Sequence, residues 1–348
     1  MPNPTPEALR QARLDNPKTR ERDLAHQLDV TEAQLVAAHI GFVTTRIAND
    51  PDQIIPAVKA LGEVMALTRN ESAVSEKVGT YNQYHSGKHA AMTLDPEIDL
   101  RLFPNRWVHA FAVEKETDQG LRRSVQIFDA AGDAVHKIHL RETSDLAAWD
   151  RLKSELATTD ESDALEVEPR KSPPAPKGDP ARAQELRDFW DGMTDTHQFM
   201  RQLPKMDMNR LGAYRIVGEP YVRRLETDAV DAMLQGIHKA GFDFMLFVGN
   251  MGCIQIHTGP IGTLKAMGPW QNILDPRFNL HLRLDHITEV YSMTKANAKG
   301  SIKSVEAFDA KGQTILQAFP VSRDTNDTRE QFHALLDSLP TLELEAAE

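Results

Sequence analysis

Residues 69–132 recur as residues 249–312, and this internal repeat constrains the fold more than any other feature of the chain. Residues 94–102 (LDPEIDLRL) read against residues 274–282 (LDPRFNLHL) with five of nine positions identical. Residues 124–132 (SVQIFDAAG) read against residues 304–312 (SVEAFDAKG) with six of nine identical. Asn70 aligns with Asn250 and Gly120 with Gly300, so the offset of 180 holds without a gap. Such a period is far longer than the roughly 20 to 50 residues of a solenoid unit. The chain is therefore expected to carry two homologous domains in tandem, with the cleft between them the first place to look for a ligand.

The 348 residues carry 41% hydrophobic residues, enough for a core in each half. A net charge of -11 disfavours broad contact with nucleic acid or anionic lipid, whose recognition needs clustered Lys and Arg. The longest dense apolar run, Phe244 to Val248, is too short to span a bilayer, and the first residues hold no apolar leader segment. The expectation is a cytoplasmic chain with no membrane insertion. Cys253 is the only cysteine, which rules out an intrachain disulfide, a Cys-rich zinc site and Cys-x-x-Cys-His haem attachment.

Residues 7 to 41 read as two short helices, Arg20 to Leu28 and, after a Thr31 cap, Glu32 to His39. The pattern resembles a helix-turn-helix. Five Lys and Arg against six Asp and Glu in this stretch favour a helical hairpin packed on a sheet over a DNA-reading face. From about residue 60, short alternating runs separated by turn residues predict strands at 64–68, 90–94, 109–114 and 124–128, with a hairpin turn at Asp129 to Gly132. A helix over 145–156, with Leu146, Trp149 and Leu152 on one face, closes the half. The second half repeats this order, with its turn at 309–312 and its closing helix over 329–339.

Between the halves, residues 166–183 hold five prolines and few apolar residues, the composition of a semi-rigid extended linker. The predicted organisation is one repeat over 1–165, the linker over 166–183, and a second repeat over 184–348. The expected fold class is α+β: a tandem duplication, each copy a large, mainly antiparallel sheet with flanking helices.

Most of the thirteen histidines have ordinary readings. His85 and His89 are spaced as a helical metal pair, but Ser86-Gly87 between them disfavours a helix. His136 and His139 fall at odd spacing on a strand and face opposite sides. His257 and His281 read as structural residues of the second repeat. His197 differs, because it falls on a segment from Ala183 to Leu203 where Trp190, Met193, His197 and Met200 share one face at helical spacing. A core histidine and an axial haem ligand on an apolar face both fit that pattern.

Five strings carry a resemblance: ALTRNESAV (66–74), LDPEIDLRLF (94–103), MTDTHQFM (193–200), FVGNMGCIQIHTGP (247–260) and MGPWQNILDPRFNLHLR (267–283). They resemble the bacterial haemin-degrading proteins of the HemS/ChuS/HmuS type, over nearly the whole chain and including its duplication. The resemblance implies a cytoplasmic protein that receives haem b from an importer of the ABC class. It implies His197 as the axial iron ligand, Arg101 as the distal residue and Phe103 as an apolar contact. Arg210, Lys295 and Arg323 are implied as partners of the haem propionates.

Elementary chemistry agrees with these roles. Haem bears two carboxylates, and an acidic protein needs a few aimed Arg or Lys heads to receive them. Arg101 stands on an alternating segment, opposite the face of Ile98, Leu100 and Leu102, where it could donate hydrogen bonds beside the iron or pair with Asp99. Arg101 aligns with His281 and His197 with Pro17 across the offset, so one haem per chain is expected. The expected function is degradation of imported haem to release iron, with Arg101 and His197 as catalytic residues and electrons from an external donor such as a reductase, since no nucleotide-binding glycine motif is present. The alternative is a haem chaperone that delivers its cargo to a separate haem oxygenase.

Overall fold

The computed structural model describes residues 4–118, 120–195, 197–297 and 300–342, without the side chains of His197 and Asn297. They form two compact units. The first comprises Met1–Arg69, Ser75–Lys171 and Gly249–Gln255; the second comprises Asn70–Val74, Ser172–Val248 and Ile256–Glu348. The long division falls inside the proline-rich stretch, but each unit also takes a short segment from the other half of the sequence. A division at a single linker leaves that exchange out.

In the first unit, antiparallel strands run in the order Thr44–Arg46, His109–Thr117, Gly120–Phe128, Ala134–Leu140 and Val64–Arg69. The unit also holds an antiparallel meander of Tyr84–His85, Ala91–Leu94 and Asp99–Leu102, which is not part of this run of strands. The second unit repeats the order with Val222–Leu225, Glu289–Asn297, Gly300–Phe308, Thr314–Pro320 and Phe244–Gly249. Its meander is Leu264–Met267, Trp270–Leu274 and Phe278–Arg283.

Register repeats as faithfully as order. Val64 faces Leu140 as Phe244 faces Pro320, and both sheets carry a register shift at the same place, Ile127/Phe128 and Ala307/Phe308. The hairpin turns explain the match. The Asp129 carboxylate accepts from the amides of Ala131 and Asp133 (3.0 Å each) while Gly132 takes φ +77°; Asp309 and Gly312, at φ +74°, do the same.

Helices cover both faces of each sheet. Pro51–Lys59 and Leu146–Leu156 bury Ile54, Ile55, Val58, Trp149 and Leu152 on the first sheet. Leu146 is half exposed, because it sits in the first turn beside the Asp145 cap. Ala229–Ala240 and Arg329–Asp337 serve the second sheet. On the other face of the first sheet, the helix Glu32–Ala37 opens with the expected Thr31 cap, which Gln34 completes as a capping box, and packs Ala33, Val36 and Ala37 on Phe111 and Phe128. Its apolar face is thus used within the fold. No helix among the described residues is long and apolar enough to cross a membrane.

Two asparagines hold the exchanged segments. In the first unit Asn250 donates to the carbonyls of Arg69 (2.8 Å) and Val135 (2.9 Å), while its own oxygen accepts from Gly252 and Cys253. In the second, Asn70 donates to Ile315 (2.8 Å) and accepts from Ser72 and Ala73. Val135 and Ile315 are themselves 180 positions apart.

The cores diverge around His136. The first unit buries a directed chain in which Tyr81 O–H donates to His136 Nε2 (2.7 Å) and His136 Nδ1–H donates to Thr68 Oγ1 (2.8 Å). Thr68 in turn reaches Gln255 Oε1 (3.3 Å), and the Gln255 amide donates to the Ser75 carbonyl (2.9 Å). Trp107 stacks on His136, and Cys253 lies beside it at 3.8 Å. The positions matched to Thr68, Tyr81, Trp107, His136 and Cys253 are Val248, Ile261, Ile287, Leu316 and Ala73, all in the apolar core of the second unit.

Burial pushes His136 down to about 3, so it folds as a neutral ring. Unfolded histidine titrates near 6.5. Between these values the unfolded chain binds more protons, so stability falls on acidification from about pH 6.5, with a slope of up to about 1.4 kcal/mol per pH unit from this group. Replacing His136→Leu leaves the Tyr81 and Thr68 hydroxyls without their partner and is expected to cost about 2 kcal/mol at pH 7. Urea midpoints at pH 7 and 4.5 should show the variant less stable at neutrality but losing less on acidification than the parent.

Candidate functional site

The helical layer of the second unit is where the chain departs most from its own repeat. The segment expected as one helix from Ala183 to Leu203 is two, Ala183–Asp191 and His197–Gln202. Gly192 ends the first, and the Gln198 side chain folds back to accept from the amides of Thr194 (2.9 Å) and Asp195 (3.3 Å), fixing a turn. The single apolar face is corrected accordingly: Trp190 and Met193 are buried, whereas Met200 is 47% exposed. His197 begins the second helix. Its side chain lies outside the described residues.

Beneath this break sits an aromatic cluster. Phe199 stacks on Tyr214 with centroids 5.6 Å apart and meets Trp190 edge-on at 4.9 Å. Tyr214 comes from the helix Arg210–Val217, capped by the Asn209 side chain, and packs on Tyr291 and Phe308 of the sheet. Alternation places Tyr291, Met293 and Lys295 of one strand and Ser304, Glu306 and Phe308 of its neighbour on this face.

Charge is concentrated here in a buried group. Glu306 is fully buried; Arg210 donates to one of its oxygens at 2.6 Å and Tyr214 O–H to the other at 2.9 Å. Lys295 donates to the Tyr214 oxygen at 3.0 Å, lies 3.7 Å from Glu306, and stands 4.4 Å from the centre of the Phe199 ring. Burial pushes Lys295 down to about 8 against the attraction of Glu306. Burial also works to raise the Glu306 carboxyl, but Arg210 and Lys295 hold it below the usual range. Two cations against one carboxylate leave a net charge of +1. Arg210, at 22% side-chain exposure, is its open edge and also meets Met200 Sδ at 3.1 Å.

The structure brings Arg210 and Lys295 together on Glu306, and it places Arg323 elsewhere, exposed on a separate two-stranded ribbon with Asn326–Asp327. Arg101 and Phe103 belong to the first unit. Arg101 lies opposite the buried face of Ile98, Leu100 and Leu102, and its guanidinium pairs with Asp99 and donates to the Leu100 carbonyl at 3.0 Å. Phe103 is half-buried, with its amide donating to Gly252 O at 3.0 Å. His281, matched to Arg101 by the repeat, is held by Asn272 at 2.7 Å.

His85 and His89 are exposed, and His257 stacks on Phe278 at 3.7 Å. Among the described residues no group of three or more His, Cys, Asp or Glu is placed to hold a metal ion. Sequence reasoning missed Tyr214 and Glu306. A signal was available for Glu306, since the repeat has Gln126 at the matching position, so that a carboxylate is gained there.

The duplicated α+β fold buries two cations, Arg210 on a helix and Lys295 on the strand beneath it, beside the helix that His197 begins. The haemin-degrading HemS.ChuX domain matches residues 29–156 and again residues 207–339, and the chain belongs to that family. It is 35% identical over 334 residues to the hemin transport protein HmuS of Yersinia pestis, covering 94% of this chain and 96% of the relative. The crystal structure of holo-PhuS, a heme-binding protein from Pseudomonas aeruginosa, superposes with a TM-score of 0.91 at 37% identity, covering 97% of this chain and 98% of that one. The Escherichia coli O157:H7 heme degrading enzyme ChuS superposes with a TM-score of 0.85 at 31% identity, covering 95% and 97%.

Removing one member of a buried ion group strands the others. Arg210→Met is expected to lower stability by about 2 kcal/mol, below the usual range for a buried pair because Arg210 keeps some solvent contact. Adding Glu306→Gln should recover part of that loss. Urea unfolding of the single and double variants measures both, and equal losses for the two would contradict the charge assignment.

Proposed function

We propose that this protein binds haem b and opens the macrocycle to release iron. The observation that carries the reading is the buried Arg210–Lys295–Glu306 group, a net positive charge in an acidic chain, tied to the helix that His197 begins. Membership of the haemin-degrading family supports the same ligand, as do the relatives titled for haem binding, transport and degradation.

Each residue has a definite task in this reading. His197 supplies a neutral imidazole to the iron. Arg210 and Lys295 draw the propionates, and Phe103 gives the macrocycle an apolar contact. Arg101 donates hydrogen bonds to a small polar ligand beside the macrocycle, which requires it to share or leave Asp99. The oxidative chemistry is supplied by haem itself together with an external electron donor. The protein would act in the cytoplasm, downstream of a haem importer. A second reading, favoured by the relative titled a transport protein, is a chaperone that uses the same residues to deliver haem to a separate oxygenase.

The deciding experiment incubates holo-protein with a reductase system, with and without oxygen, and follows the Soret band, iron release and tetrapyrrole mass. Band loss with iron and an opened tetrapyrrole is expected. Bleaching without either, or transfer to an apo-oxygenase faster than free dissociation, removes the enzymatic reading and leaves the chaperone. His197→Ala should weaken binding and shift the Soret maximum, whereas Arg101→Ala should keep binding and lower turnover roughly a hundredfold.

A further inference from the structure

Glu306 and Tyr214 touch solvent hardly at all, and neither is needed for the packing that the first unit achieves without them. The gap-free part of the repeat allows a comparison inside one molecule. Lys295 matches Lys115, which lies at the surface paired with Glu21; Glu306 matches Gln126, a neutral amide that donates to Ser124. The same two strands in the same register therefore carry a fully buried carboxylate in one copy only; the first copy's ion pairs on this sheet, Glu114–Arg123 and Lys137–Glu32, keep some solvent contact. That copy is the one in which a histidine, His197, begins a helix of this layer, whereas Pro17 stands 180 positions before it.

Burying a carboxylate and an ammonium costs several kcal/mol per ion in desolvation, and an apolar replacement is often as stable. Stability alone gives little reason to keep the group. Its contacts give a better one. Tyr214 stacks flat on Phe199, two residues after His197, and its hydroxyl is the hub between Glu306 and Lys295. Lys295 lies against the Phe199 ring, and Arg210 spans from Glu306 to Met200. Three contacts thus run from one buried carboxylate to a single six-residue helix, which a 3₁₀ turn at Leu203–Met206 continues and no helix precedes directly, because Gly192 ends the one before it. Six residues are too few to hold a helix without tertiary contacts.

We infer that Glu306 and Tyr214 are positioning residues: together they fix the short helix that carries His197, and so set the placement of the iron ligand. This rests on the haem reading above and deepens it. The group does two jobs through one carboxylate, since Glu306 also decides where the cations meant for the propionates stand.

The test separates positioning from propionate capture by its choice of ligand. Ferric protoporphyrin IX and its dimethyl ester, which has no carboxylates, are titrated into the full chain and into Glu306→Gln and Tyr214→Phe, recording affinity, Soret position and the ferric EPR spectrum. Positioning predicts that both variants shift the axial-ligand spectrum toward that of His197→Ala with either ligand, and that Glu306→Gln weakens both by a similar factor, about tenfold. Tyr214→Phe keeps the ring stack and removes only the hydroxyl, so it retains the fold even if Glu306→Gln does not; thermal unfolding monitors both. An unchanged axial spectrum, or a loss confined to the ligand with free carboxylates, overturns the inference. If the parent spectrum is already the same as that of His197→Ala, the haem-ligand reading itself fails and the inference falls with it, a result visible before any variant of the cluster is compared.

Discussion

Everything in this fold depends on an exchange of two short segments anchored by asparagine side chains. Asn250 ties residues 249–255 into the first unit through the Val135 carbonyl, and Asn70 ties residues 70–74 into the second through Ile315. Each amide satisfies carbonyls that a tight turn would otherwise leave open, and its oxygen caps two amides of its own turn. Neither unit is complete from its own half of the sequence.

That constraint explains where the copies were free to diverge. Strand order, register, the bulges and the Asp-x-x-Gly turns had to match for the exchange to close on both sides, and they do. Interior chemistry did not have to match. One copy buries the neutral chain from Tyr81 through His136 to Gln255, where the other is aliphatic; the other buries Glu306 with Arg210 and Lys295, where the first has Gln126 beside a Lys137–Glu32 pair. The two polar investments lie in different units and on different faces of the sheets. Only the second sits under a helix that begins with a histidine.

Much of this was legible in the sequence, for physical reasons that differ by element. Alternation along 98–103 sorts Leu100 from Arg101 because strand periodicity is local and strict, and the Thr31 capping box can be read from four residues. The helix over 183–203 was misread because helical spacing ran across Gly192 and the Thr-Asp-Thr turn, where Gln198 bonds to the backbone in place of helix continuation. The exchange left only the paired Asn70 and Asn250 as a trace, since its partners are carbonyls more than a hundred residues away. Arg210 and Lys295 were identified as cations, but that they share a buried carboxylate depends on sheet pairing and a helix docked across it. Sequence spacing cannot supply that.

The central claim is that the broken symmetry of the duplication leaves one haem site, in which His197 supplies the ligand. Titrating apo-protein with haemin at concentrations well above the dissociation constant, and reading the end point from the Soret band, tests it most directly. One haem per chain is expected, with His-ligated spectra that persist in His281→Ala and are lost in His197→Ala. An end point of two haems, or a His-ligated spectrum that follows His281 instead, would contradict the account.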